Sequence, residues 1–186
     1  FDDRSTLIAD ADHVWKVFKK IQGKRVEELI ITTKDMLPDW NKYNKYSYRV
    51  PMQQTFEGKD NNIKIHPYVL GLWLASGTPT QNKIWCKESD YDFMSDEIYA
   101  CGYNIKDYVE FSDSNVHFSI NNSNFISILK SLNLINNKHI PKRYLFSSIN
   151  SRRNLLQGIM DGIGYVDTKG TIEITFGANN KVAENF

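Results

Sequence analysis

The feature that most constrains this chain is a pair of apolar stretches, Tyr68–Gly77 and Leu155–Gly164. Aligned on their first glycines, they share Gly-[Leu/Ile]-x-[Leu/Asp]-[Ala/Gly]-x-Gly. Each reads as a short helix, so the chain holds an internal repeat with one signature helix per copy. Gly71 and Gly158 are followed four residues on by Ala75 and Gly162, which leaves each helix a stripe free of bulky side chains. A small-xxx-small stripe lets two helix backbones come close, in lipid or out of it. These four residues are therefore the expected helix interface. The closing glycines, Gly77 and Gly164, suit the left-handed position that ends many helices.

Further blocks stand in fixed order around the two stretches. They are His66-Pro67-Tyr68-Val69-Leu70-Gly71-Leu72-Trp73-Leu74, Asn137-Lys138-His139-Ile140-Pro141 with Tyr144-Leu145, and Leu155-Leu156-Gln157-Gly158 leading to Gly164-Tyr165-Val166-Asp167. From about Val50 onward the chain resembles the LAGLIDADG homing endonuclease domain carried inside inteins. The resemblance implies an α+β fold, an αββαββα repeat with an incomplete second copy over residues 41–186. It also implies a β-rich, Hint-like splicing segment over residues 1–40. Active relatives cut double-stranded DNA with Mg²⁺ held by the acidic residue just before each closing glycine. Here those positions are Ser76 and Ile163. Two-metal hydrolysis needs hard anionic oxygens, which a hydroxyl supplies poorly and isoleucine not at all. Asp161 lies two residues before Ile163, about 200° around a helix of 3.6 residues per turn. The expectation is a nuclease fold without cleavage, no metal site and no cofactor.

Composition adds limits. Among 186 residues, 23 basic and 22 acidic side chains give a net charge of +1, so any nucleic-acid surface must arise from local segregation of charge. Cys86 and Cys101 are too few for a disulfide scaffold and read as small core residues in a reducing compartment, with a pairing left open. No run approaches the roughly 20 apolar residues of a membrane span, and no signal peptide opens the chain. An intracellular protein with no membrane partner is expected.

Phe1–Ser5 reads as a turn, Thr6–Ala9 as a strand, and Val14–Phe18 as an alternating strand. His13, between them, is either an ordinary turn histidine or the histidine of the resembled splicing block, which would protonate the departing amide in the N-terminal acyl shift. The family carries Thr or Asn three residues earlier, where this chain has Asp10. Ile30–Leu37 continues the block, with Thr33 as helix cap. The chain opens on Phe1 and closes on Asn185-Phe186, without the terminal nucleophile or His-Asn pair of a splicing element. It therefore reads as an internal piece, with a complementary intein segment or the host-protein exteins as partners. Pro38–Tyr48 is the expected linker, and Tyr46–Pro51 the strand after it. Lys42, Tyr43, Lys45, Tyr46, Tyr48 and Arg49 form either a solvated connection or a DNA-facing arm.

After the first signature, alternation places Gln81, Lys83, Trp85 and Lys87 on one face of a strand and Asn82, Ile84 and Cys86 on the other. A β-ribbon fits the major groove, where Gln and Lys read base edges. In the resembled family this strand belongs to the saddle that holds double-stranded DNA. A helix is expected over Asp90–Gly102, then strands over Tyr103–Lys106, Tyr108–Phe111 and Val116–Ile120, with His117 outward and solvated. A helix through Leu132 capped by Asn133, a turn at Lys142–Leu145, a helix capped by Ser151, a hairpin after Gly164 and a helix start at Asn179 complete the reading. Three functions compete. They are an inactive intein-borne endonuclease, a DNA-binding module that does not cut, and a scaffold that brings intein halves together for splicing in trans.

Overall fold

The computed structural model describes residues 6–20, 26–39, 47–51, 55–111, 114–177 and 181–185. The chain divides into two compact units, Phe1–Gln54 and Thr55–Phe186. The architecture is α+β with small antiparallel sheets.

In the first unit, β1 (Val14–Lys20) pairs with β2 (Val26–Thr32) and with β3 (Tyr48–Arg49), giving a three-stranded sheet of order β2-β1-β3. Tyr48 and Arg49 pair with Lys19 and Phe18, so the first unit runs past residue 40. The strand expected at Thr6–Ala9 is absent. No neighbouring strand pairs with it among the described residues, and the Asp10 carboxylate accepts from the Asp12 N–H at 2.9 Å to fold the chain into a turn. Helix α1 (Thr33–Met36) is capped by Thr32, one residue before the expected cap, whose hydroxyl accepts from the Asp35 N–H. Thr33 instead accepts a 2.8 Å bond from the Trp15 indole. The expected turn at Phe1–Ser5, most of the 38–48 linker and the helix start at Asn179 lie outside the described residues.

The second unit is built on two helices. Helix α2 (Pro67–Ser76) is buried from Pro67 to Leu74 on every side, as a helix apolar all round must be. Pro67 at its first turn costs no hydrogen bond. Helix α6 (Ile149–Ile163) is amphipathic and begins at Ser148, whose hydroxyl accepts from the Ser151 N–H at 3.1 Å. Ser151 was the expected cap and is instead the residue capped. Asp60 holds Ser148 in turn through its N–H (3.0 Å) and hydroxyl (2.8 Å).

Between these helices run β4 (Lys83–Lys87), α3 (Glu88–Ala100), β5 (Ile105–Glu110), β6 (Asn115–Ile120), α4 (Phe125–Ser131) and α5 (Lys142–Leu145). The sheet order is β4-β6-β5, with β6 central and buried. β7 (Gly164–Val166) and β8 (Ile172–Ile174) form the hairpin after α6. The element order differs from αββαββα in two places: a single strand separates α2 from α3, and the short α5 follows α4. Pro79 follows the helix end by three residues, and only the bridge Gly77–Ile84 forms where a first strand would lie. The two strands expected at 103–111 are one, interrupted by a bulge at which Asp107 takes a φ of 55°.

The left-handed endings lie elsewhere than expected. Gly102 (φ 82°) closes α3 and Asn133 (φ 56°) closes α4. In both, paired reverse hydrogen bonds complete a Schellman motif: Gly102 N–H to Tyr99 and Tyr103 N–H to Ile98, then Asn133 to Lys130 and Leu134 to Leu129. Gly77 (φ −74°, ψ 150°) and Gly164 (φ −75°, ψ 153°) are extended, because each hands its helix directly to a β-pairing. They are glycine for room: a Cβ at Gly77 would meet the Trp73 ring and carbonyl, and one at Gly164 the Met160 backbone at 2.5 Å.

The principal interface of the unit is α2 against α6. A Cβ on Gly71 would overlap the Leu155 carbonyl and come within 3.0 Å of the Ile159 nitrogen. A Cβ on Gly158 would overlap the Tyr68 carbonyl and lie 3.0 Å from the Leu72 nitrogen. A Cβ on Gly162 would come within 2.6 Å of the Ala75 methyl. The register advances the same way on both helices, so they run parallel with backbones in contact. Overfilling such a seam costs about 1–3 kcal/mol. Gly158→Ala should therefore lower the denaturation free energy by about 2 kcal/mol. Gly177→Ala, into open space, should stay within about 0.5 kcal/mol. Equal midpoints in urea for the two variants would contradict this packing.

Candidate active site and nucleic-acid face

Because α2 and α6 run parallel and end alike, Ser76 and Ile163 occupy matching positions at one end of the pair. The Ser76 hydroxyl donates to the Leu72 carbonyl at 3.3 Å, so it is engaged within its own helix. Its Oγ faces α6, 3.5 Å from where a Cβ on Gly162 would stand. Ile163 is partly buried and packs against the core. Neither position offers an anionic oxygen. Asp161 lies beside Tyr68 of the first turn of α2, with its Oδ2 buried. Burial raises its carboxyl pKa, and neither its buried Oδ2 nor the Tyr68 hydroxyl has a hydrogen-bond partner among the described residues. Burial first, then the Asp161 charge, pushes the Tyr68 phenol well above its ordinary range.

Sequence reasoning gave no role to a side chain that binds the carbonyls at this helix end. Lys138, in the loop before α5, donates to the carbonyls of Leu74 (3.1 Å) and Gly77 (2.6 Å) and sits 5.1 Å from the Trp73 ring centroid. Burial pushes its ammonium down to about 8, while two carbonyls at a helix C-terminus and an aromatic face favour the charged form. The signal for it lay in the quoted block Asn137–Pro141, as the one cation there next to a histidine.

Divalent metal chemistry does not fit this end of the helices. Ser76 and Ile163 supply no carboxylate, Asp161 turns toward Tyr68, and Lys138 brings a positive charge to the same carbonyls. No group of three or more His, Cys, Asp or Glu side chains suited to a metal occurs among the described residues.

The second array of side chains lies on the sheet. Ile84 and Cys86 point into the core, leaving Lys83, Trp85 and Lys87 on the opposite face of β4. Gln81 is not on that strand. It belongs to the turn before it, where its carbonyl accepts from the Trp73 indole at 2.7 Å. Asn82 instead ties the turn to β6 through a 2.7 Å bond to the Ile120 carbonyl. His117 lies opposite Trp85 on β6, on the open face as alternation requires, but it is not solvated. Trp85 and Phe111 cover it with ring centroids 5.0 and 5.2 Å away, leaving it 6% exposed. Burial, then Lys83, lowers its pKa.

His13 belongs to the first unit and is exposed, with its ring edge-on to Trp15 at 4.7 Å. Its backbone N–H donates to Asp10 (3.1 Å) and its carbonyl accepts from Thr33 (3.0 Å), which fixes it at the mouth of the β1–β2 pair. Of the arm residues, Tyr48 pairs into the sheet under Lys19 and Arg49 is exposed. Lys42, Tyr43, Lys45 and Tyr46 lie outside the described residues. Cys86 and Cys101 are free thiols, both pushed up to about 11 by burial.

No family model matches the chain. It is similar to the replicative DNA helicase DnaB of Mycobacterium intracellulare, 23% identical over 195 aligned residues. The alignment covers 94% of this chain and 30% of the helicase, so the chain spans under a third of the relative's length. Among the described residues, no helix is long and apolar enough to cross a membrane.

The Lys138 environment predicts a pH dependence. Its folded pKa of about 8 lies below the ordinary 10.5, so between these values the unfolded chain holds a proton the folded chain has lost. Stability from this group therefore rises with pH across that window. Relative to Lys138→Met, the wild-type thermal midpoint should climb between pH 8 and pH 10.5. A constant difference would show that the carbonyls and the Trp73 ring keep the ammonium charged throughout.

Proposed function

We propose that this chain is a segment of an intein carrying a LAGLIDADG-like domain that engages double-stranded DNA without cutting it. The observation that carries the reading is the parallel α2–α6 pair, crossed at Gly71 and Gly158 and closed alike at Gly77 and Gly164, with Ser76 and Ile163 where the resembled enzymes hold acidic metal ligands. Lys83, Trp85 and Lys87, facing away from the core, support a nucleic-acid role for the sheet. The helicase alignment supports a chain that is one segment of a larger protein, since nearly all of this chain matches less than a third of it. The chain contains no Gly-x-x-x-x-Gly-Lys-[Ser/Thr] run, so it holds no phosphate loop of an ATP-driven motor.

A second reading, a scaffold for splicing in trans, draws on the first unit. Among its described apolar residues only Val17 is fully buried, while Val14, Val26 and Ile30 are 56–77% exposed. A complementary intein segment would cover such a sheet, and His13 stands at its edge as the splicing-block residue.

The deciding experiment incubates the chain with a duplex library spanning an uninterrupted insertion site, with Mg²⁺ or Mn²⁺, and scores binding beside cleavage. Binding without cleavage is expected, weakening steeply with salt. Lys83→Gln with Lys87→Gln should lower the log–log salt slope by about two. Metal-dependent cleavage would overturn the assignment of Ser76 and Ile163, and absence of both binding and cleavage would leave the scaffold reading.

A further inference from the structure

We propose that the open face of the β4-β6-β5 sheet is a stacking platform for unpaired bases of single-stranded DNA, with Trp85 and Phe111 as its rings and Lys83 and Lys87 as its phosphate contacts. The inference rests on the nucleic-acid reading of this face and departs from it in the form of DNA bound, strands with unpaired bases in place of an intact duplex.

Three observations carry it. Trp85 and Phe111 lie 5.1 Å apart and are 40% and 46% exposed, with Val109 beside them at 41%. They form one contiguous apolar patch at the middle of a face otherwise bordered by lysines. In a duplex every base is already stacked on its neighbours, so a sheet of this kind would meet only base edges and phosphates. Exposed rings gain most from the π-face of a base that has left its stack.

The charge on the face suits a polyanion. Lys83 and Lys87 have no ion pair among the described residues, and Lys106, opposite Ser119, is 3.9 Å from Asp107. Glu110 is turned away: it pairs opposite core-facing Val116 and accepts from the Tyr108 hydroxyl at 3.1 Å. The face therefore presents more positive than negative charge around its rings, although the whole chain is nearly neutral.

The third observation is His117. It lies beneath the two rings, more than nine-tenths buried, and its Nδ1 has no hydrogen-bond partner. His117 supports both rings from below, at centroid distances of 5.0 and 5.2 Å, so they stand on the face as one preformed platform.

The test uses the whole chain and fluorescence anisotropy with an oligonucleotide of about 12 nucleotides, within the footprint of known single-strand platforms, alongside its blunt duplex. Single-stranded DNA should bind about tenfold more tightly than the duplex. Trp85→Leu and Phe111→Leu should each weaken single-strand binding by about tenfold, with melting curves showing that both variants fold. Trp85 emission should quench on titration with the single strand. Duplex binding as tight as single-strand binding, or full single-strand affinity in Trp85→Leu, overturns the proposal while leaving the nucleic-acid reading standing. No binding of either form at low salt overturns both.

Discussion

The second unit depends on one contact, the approach of the α2 and α6 backbones at Gly71 and Gly158. A carbonyl of each helix occupies the place a side chain would take on the other. Leu70, Leu72, Trp73 and Leu74 are consequently pressed into the core on every side of α2. The rest of the unit is wrapped around that helix. The sheet supplies Ile84, Phe118 and Ile120, α4 supplies Phe125 and Leu129, and Tyr144 bonds both backbone groups of Ile65 just ahead of it. Since the two helices run parallel, their carbonyl ends lie at the same end of the pair. Two negative helix ends meeting in one place need compensation. Here Lys138 provides it, donating to Leu74 and Gly77.

On the proposed reading, this arrangement accounts for a fold that holds Ser76 and Ile163 where the resembled enzymes carry acids. The glycine seam, not the helix ends, holds the pair together. Replacing acids at the ends removes like charge from a place already rich in carbonyl oxygen, and Ile163 adds apolar contact with the core. Ser76 and Ile163 therefore sit at this position at little structural cost. The sheet face is independent of it, being fixed by alternation along β4 and β6.

Much of this was legible in residue spacing. The small-residue stripes named the seam, since only glycine and alanine permit such an approach, and alternation along residues 83–87 separated core from open face. What spacing did not carry was set by tertiary context. Gly77 and Gly164 look like left-handed caps, but the β-pairing that follows each holds them extended, and the left-handed endings fall to Gly102 and Asn133. Two expected strands fused because a bulge at Asp107 absorbs the irregularity. The caps at Thr32 and Ser148 precede the residues expected because several hydroxyls compete within a few positions. His117 alternates outward as read, yet two aromatic residues distant in sequence close over it. Lys138 stands in the Asn137–Pro141 block, but its role depends on the fold, which alone brings it to the end of α2.

The central proposal is that the parallel helix pair has the frame of the resembled enzymes' metal site without its acidic ligands. The most direct measurement is Mn²⁺ binding followed by electron paramagnetic resonance, comparing the wild type with the double variant Ser76→Asp, Ile163→Asp. The account predicts no stoichiometric Mn²⁺ on the wild type and at least one bound ion on the folded double variant. Equal, saturable Mn²⁺ binding by the wild type, or none by a folded double variant, would contradict it.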